Sequence, residues 1–232
     1  MMLSVEEIRN NWLRDTLGQL PAGESILDVG AGEQQYKKHC LHLKYIAQDV
    51  AEYNGEGDSS GLQTGVWDTS HLDLVCDLYD IDESTTYDNL MCTEVLEHVV
   101  DPVLALEKFS KLVKPGGKLI ITAPFNSLTH FAPYHFATGF NQFFYKHHFE
   151  RLGFELSQIR ASGNYISYVN SEIKRLNYII SHYNIVEPNR IFRKILTRLL
   201  TRYLNKVEKT SDANNTSSLG CYGYFVIAIK KD

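Results

Sequence analysis

The run Ile26-Leu-Asp-Val-Gly-Ala-Gly32 constrains this chain more than any other stretch. A short apolar strand ends there in a carboxylate and two glycines one residue apart. Glycine at such a turn lets the backbone enter positive φ and lets a ligand approach the main chain with no Cβ in the way. Loops of this kind, at the carboxyl end of a strand and opening toward a helix, are where open α/β sheets bind nucleotides. A dinucleotide fingerprint asks for Gly or Ala at position 35, where this chain has Gln35. Asp28, two residues before the first glycine, would repel a pyrophosphate. It suits a ligand carrying an ammonium and a sulfonium instead.

Four further motifs follow in order: Gln48-Asp49, Cys76-Asp77-Leu78, Cys92-Thr-Glu-Val-Leu-Glu-His98 and Leu112-Val-Lys-Pro-Gly-Gly-Lys-Leu-Ile-Ile-Thr-Ala-Pro124. Together with the glycine loop they resemble the class I S-adenosylmethionine (SAM)-dependent methyltransferases of the broad type 11 group. The resemblance covers about the first two thirds of the chain and its last strand. It implies a Rossmann-like α/β sheet of seven strands, the last antiparallel, with helices on both faces. It implies SAM as cofactor: Gly30 and Gly32 meeting its methionine part, Asp28 facing the positive end, and Asp49 accepting from the ribose hydroxyls. Asp77 would accept from the adenine amine, Leu78 would pack on the ring, and Thr93 and Glu94 would open toward the transferring methyl.

Local signals place the elements. Ser4 with Glu7 forms a capping-box pattern that opens a helix to about residue 19, with Ile8, Trp12, Leu13 and Leu17 as its buried stripe. Strands are expected over 25–29, 45–49, 72–78, 89–93, 118–123, 154–160 and 222–230. Asp101-Pro102 starts a helix that ends at Lys114-Pro-Gly-Gly117. Residues 54–70 are rich in turn formers and read as a loop at the cofactor edge. The chain is expected to be a single methyltransferase domain over 1–232, with an N-terminal helix in 1–20 and a helical insertion over 163–219 that ends in a polar connector.

Two groups of side chains bear on the chemistry. Glu94, Glu97 and His98 would share a face of a helix starting near Glu94. That arrangement is open to a divalent ion or to a role in shaping the pocket, and no metal is assigned. His130 and His135 follow the fifth strand, in the segment that covers the acceptor side of this fold, with Tyr134 beside them. If the acceptor is a hydroxyl, histidine is the usual group to take its proton near neutral pH, so His130 and His135 are the catalytic candidates. His147 and His148, on the following helix, read as solvent-facing or structural. The aromatic stretch after Pro124 could stack on a sugar or flat ring. The expected reaction is methyl transfer to an oxygen of a small or medium-sized acceptor, a glycan or another metabolite.

In the insertion, apolar Ile191, Phe192, Ile195, Leu196, Leu199, Leu200, Tyr203, Leu204 and Val207 share one helix face, while Arg190, Lys194, Arg198, Arg202 and Lys206 recur every four residues on the other. A covering or homodimer-forming helix and a helix lying on an anionic membrane surface through 190–207 are both open readings.

The net charge of −5 over 232 residues argues against a nucleic-acid partner, because phosphate contacts need a basic surface. Four scattered cysteines form no disulfide framework or zinc motif. The first residues lack the pattern of a signal peptide, and no apolar run reaches the ~20 residues of a membrane span, so a cytoplasmic setting is expected. No Asn-Pro-Pro-Tyr or Asp-Pro-Pro-Tyr follows the fourth strand, which disfavours amino-group methylation of bases or glutamine. Two rivals are a nicotinamide-dependent reductase on a similar sheet and a non-catalytic module that kept the cofactor fold. Gln35, Asp28 and the lack of a Tyr-x-x-x-Lys pair weaken the first; the intact cofactor motifs weaken the second.

Overall fold

Ser4 opens the first helix, α1 (Val5–Leu17), through the expected capping box. Its hydroxyl accepts from the Glu7 amide at 3.1 Å, and the Glu7 carboxylate accepts from the Ser4 amide at 2.6 Å. The Trp12, Leu13 and Leu17 face of α1 is buried against Ile26, Met91, Ile120 and Phe225. The Trp12 ring stacks on Phe225 at 4.9 Å and its indole donates to Gln158 at 3.0 Å. This packing holds α1 against side chains of the strands at Ser25–Val29, Tyr87–Thr93, Val113–Pro124 and Gly223–Lys230.

The computed structural model describes residues 4–232, which fall into two compact units, 4–160 with 223–232 and 161–222. The first holds the sheet. Its strands are β1 (Ser25–Val29), β2 (Lys44–Asp49), β3 (Leu74–Val75), β4 (Tyr87–Thr93), β5 (Val113–Pro124), β6 (Phe154–Ser162) and β7 (Gly223–Lys230). Their order is β3-β2-β1-β4-β5-β7-β6, parallel across β3, β2, β1, β4 and β5 and antiparallel where β7 meets β5. The expected seven-stranded Rossmann-like sheet with an antiparallel last strand is the fold observed. Chain order reverses between β1 and β4, and a ligand crevice opens at such a switch point, outside the carboxyl ends of the strands. Between β4 and β5 the chain forms α2 (Pro102–Leu112), N-capped by Asp101, whose carboxylate accepts from the amides of Val103 and Leu104.

Two elements differ in extent from the sequence pattern. The third strand shrinks to Leu74–Val75. Asp73 turns its carboxylate onto the Ala47 amide at 2.8 Å, and Asp77 caps a 3₁₀ turn over Leu78–Asp80. Short polar side chains here compete with the ladder for backbone groups. The fifth strand starts five residues early, directly after α2. Val113 pairs with Tyr87, the register then slips, and the ladder resumes at Asn89 and Lys118. The slip is taken up at Gly116, at φ +74°, and at Gly117, where a Cβ would stand 2.6 Å from the Asp88 carbonyl.

The second unit is a helical pair, α4 (Tyr165–His182) and α5 (Arg190–Ala213), following α3 (Gln142–Arg151) and β6 in the chain. Asn170 of α4 donates to Asn205 of α5 at 2.6 Å. Leu204 is buried, but Ile191, Ile195, Leu199 and Tyr203 stay exposed. Among the described residues no helix is long and apolar enough to cross a membrane.

Candidate active site

The carboxyl ends of β1, β2, β3 and β4 converge on a cavity of about 600 Å³. The glycine loop forms one wall. Gly30 sits at φ +71°, and a Cβ on it would stand 2.3 Å from the Val95 side chain, so both backbone angle and space require glycine there. Asp49, at the end of β2, accepts from the Gly32 amide at 2.9 Å and from the Ala51 amide at 2.9 Å. Each of its oxygens retains acceptor capacity toward the cavity, since an ionised carboxylate has about four lone-pair sites. Asp77, Leu78, Thr93 and Glu94 line the same cavity.

Seven of the eight residues expected around the cofactor (Gly30, Gly32, Asp49, Asp77, Leu78, Thr93, Glu94) therefore line one cavity. Asp28 does not. It is 1% exposed beneath the loop, where its carboxylate accepts from the Tyr45 hydroxyl at 2.5 Å. Burial pushes its pKa up to about 7, with the Asp49 charge adding to the rise and the Tyr45 hydrogen bond opposing it. A raised carboxyl pKa means that the folded state holds a proton which the unfolded chain has released. Stability from this group is full below about pH 4 and is lost as pH rises through about 7. Asp28→Asn is expected to remove that loss, about 4 kcal/mol at its full extent, visible as a smaller difference between urea midpoints at pH 5 and pH 8.

Charge at the cavity wall comes instead from Arg9 and Glu94, paired at 2.9 Å. Glu94 is held rigidly. Its backbone is left-handed at φ +54°, its amide donates to Thr122 O at 2.8 Å, and its second oxygen accepts from the Thr122 hydroxyl at 2.9 Å. An adjacent guanidinium and carboxylate match the opposite charges of an amino acid's carboxylate and ammonium. The sequence pattern passed over Arg9. Its only signal was a cation next to Ile8 in the half-buried stripe of α1.

Part of the cavity lining is aromatic and imidazole-rich, and it adjoins the glycine loop, since a Cβ on Gly32 would stand 3.5 Å from the Trp67 ring. Tyr53, Trp67 and Phe131 pack at ring-centroid distances of 4.9–5.4 Å. They come from two segments that pin each other: Leu62 donates to Thr129 O, and Phe131 donates to Leu62 O, each at 3.0 Å. The loop over 54–70 is thus a wall of the cavity as well as its edge. His98, His130 and His135 cluster beside it, with ring centroids 4.6 Å (98–130), 4.9 Å (130–135) and 5.9 Å (98–135) apart. Of these three, only His98 lines the cavity; His130 and His135 stand behind it.

No helix runs from Glu94. After the left-handed Glu94 the chain makes a 3₁₀ turn over Leu96–His98, and Glu94 is drawn off toward Arg9. The grouping that forms is Glu97, His98 and His130, whose ligand-type atoms lie within 4.8 Å of one another. His98 Nδ1 donates to Tyr134 O at 2.5 Å and His130 Nδ1 to Leu128 O at 2.8 Å, so each ring keeps its lone pair on Nε2. Glu97 is 1% exposed, and its Oε2 and the His98 Nε2 have no hydrogen-bond partner among the described residues. Burial raises the Glu97 carboxyl well above its ordinary range and lowers His98 to about 4.

A parallel sheet ending in a glycine loop, a carboxylate after the second strand and an antiparallel last strand defines a class I methyltransferase fold. A family described as a methyltransferase domain matches residues 6–172, and the chain belongs to that family, whose cofactor is SAM. Among curated relatives, ubiquinone biosynthesis O-methyltransferases are similar to it. That of Leptothrix cholodnii is 27% identical over 121 residues (51% of each chain), and that of Xanthomonas axonopodis pv. citri 33% over 105 residues (44% of each). The chain thus spans about half the length of these relatives. Among solved structures, a SAM-dependent methyltransferase from Archaeoglobus fulgidus shares the fold with TM-score 0.58 at 18% identity, covering 98% of this chain and 95% of that one. Phosphoethanolamine N-methyltransferase 2 of Haemonchus contortus, solved with SAM, superposes with TM-score 0.52 at 16% identity, covering 97% of this chain and 53% of that one.

Proposed function

We propose that this chain transfers a methyl group from SAM to an oxygen of a small or medium-sized, ring-bearing acceptor, a phenol or a glycan unit. The observation that carries this is a single cavity lined both by cofactor-type groups and by aromatic side chains with His98. Bound there, SAM supplies the electrophilic methyl of its sulfonium, and the bond that breaks returns its electron pair to sulfur. Asp49 holds the ribose, Asp77 and Leu78 the adenine, and the Arg9–Glu94 pair the amino-acid end. Tyr53, Trp67 and Phe131 present apolar ring surface on which a flat ring or a sugar face can stack. In-line displacement gains most of its acceleration from such positioning. The acceptor's proton passes to the imidazole cluster through His98, with His130 and His135 behind it.

A second form of this reading, in which Glu97, His98 and His130 hold a divalent ion next to the acceptor, is favoured by the unpartnered Oε2 and Nε2 atoms. One carboxylate and two imidazoles suit a zinc-like or iron-like ion better than magnesium.

The test of the function is release of S-adenosylhomocysteine from SAM in the presence of phenolic, catecholic and saccharide hydroxyl acceptors, with the product located by mass spectrometry. Methylation on oxygen supports the reading. Methylation only of amine acceptors overturns the oxygen assignment. SAM binding without turnover on any acceptor favours the non-catalytic module.

A further inference from the structure

The uncovered side of α5 has no role in the cavity chemistry, and its position lies beyond the residues matched by the family. Ile191, Ile195, Leu199 and Tyr203 form one row along the helix and are 54–73% exposed. Phe192 and Leu196, one residue on, widen the apolar band and are also exposed. Arg190, Lys194, Arg198 and Arg202 run along the other flank of the row, one residue before each of its four members, Lys206 continues the line one turn on, and all five are exposed. At the turn preceding the helix, Ile185 and Val186 are 50% and 95% exposed. A continuous uncovered band of large apolar side chains marks an interaction surface.

Charge decides between its occupants. Residues 190–209 carry seven Lys or Arg and one Glu in a chain whose net charge is −5. A second copy of the helix would bring five cations against five, a like-charge contact that costs affinity. An anionic bilayer instead attracts each cation while its acyl boundary takes up the apolar row. We propose that α5 is a peripheral membrane-binding helix, lying in the interface of an anionic leaflet with Ile191, Ile195, Leu199 and Tyr203 inserted and the five cations at the headgroups. The surface is independent of whichever acceptor the cavity takes.

The experiment is co-sedimentation of the full chain with vesicles of phosphatidylcholine alone and of phosphatidylcholine mixed with phosphatidylglycerol. Binding is expected only to the anionic vesicles, falling as salt is raised. The double variant Lys194→Gln with Arg198→Gln changes only exposed side chains and is expected to lower the partition constant about thirtyfold. Leu199→Glu is expected to abolish binding while thermal stability holds. Equal partition onto neutral and anionic vesicles, no binding to either, or a dimer in light scattering that Leu199→Glu dissociates would each overturn the proposal.

Discussion

Asp49→Ala is expected to weaken binding of S-adenosylhomocysteine, the demethylated product, by about a hundredfold or more. Two hydrogen bonds to an ionised carboxylate contribute about 3 kcal/mol together at the low end of their range, equivalent to that factor. Ligand at ~100 times its dissociation constant raises the stability of the wild-type chain by about 2.7 kcal/mol, read as a higher thermal midpoint. In the variant that rise should nearly vanish. Asp49 also anchors the loop through the Gly32 amide, so the ligand-free midpoint must be compared as well. A variant that unfolds earlier but keeps the full ligand-induced rise would show an anchor and no ribose contact. The same titration with NADH should leave the midpoint unmoved, and a response to NADH alone would overturn the reading of the site.

His98→Gln should lower kcat by two to four orders of magnitude while leaving S-adenosylhomocysteine affinity within about threefold, because it removes proton transfer at the acceptor end. Its partner test is Glu97→Gln. If the imidazole cluster acts alone, Glu97→Gln and a chelator leave the rate nearly unchanged, since Glu97 is buried behind the cavity wall. If a divalent ion sits among Glu97, His98 and His130, added zinc or cobalt raises the wild-type thermal midpoint without SAM present. Neither variant then responds, and a chelator slows the wild type. Replacing His135, which bonds Ser127 at 3.0 Å outside the ligand grouping, separates the roles further. It should slow turnover under either form and leave any metal response intact.

The parts of this protein legible in its sequence are those set by neighbours along the chain. The capping box at Ser4 and Glu7, the Asp101 cap, the glycine loop and the strand-end carboxylates Asp49 and Asp77 each rest on backbone conformation or local hydrogen bonding. Those preferences travel with the residues themselves. The family resemblance carried by five motifs in register, from the glycine loop to Leu112–Pro124, implied the sheet, its antiparallel last strand and the cofactor.

What the tertiary structure decided are the contacts between distant segments. Asp28 has the same sequence context whether it faces a ligand or a core. Only the packing of β2 beside β1 puts the Tyr45 hydroxyl on it and takes it out of the cavity. Glu94 looked like one of three groups on a helix face, until its left-handed backbone and the approach of Arg9 from α1 drew it away. His98 and His130, 32 positions apart, meet because two loops fold over the same strand ends, and Tyr53, Trp67 and Phe131 meet for the same reason. Periodicity reports which face of an element is apolar. Which charged or aromatic groups converge above the sheet depends on how the loops cross it, and that is decided by packing alone.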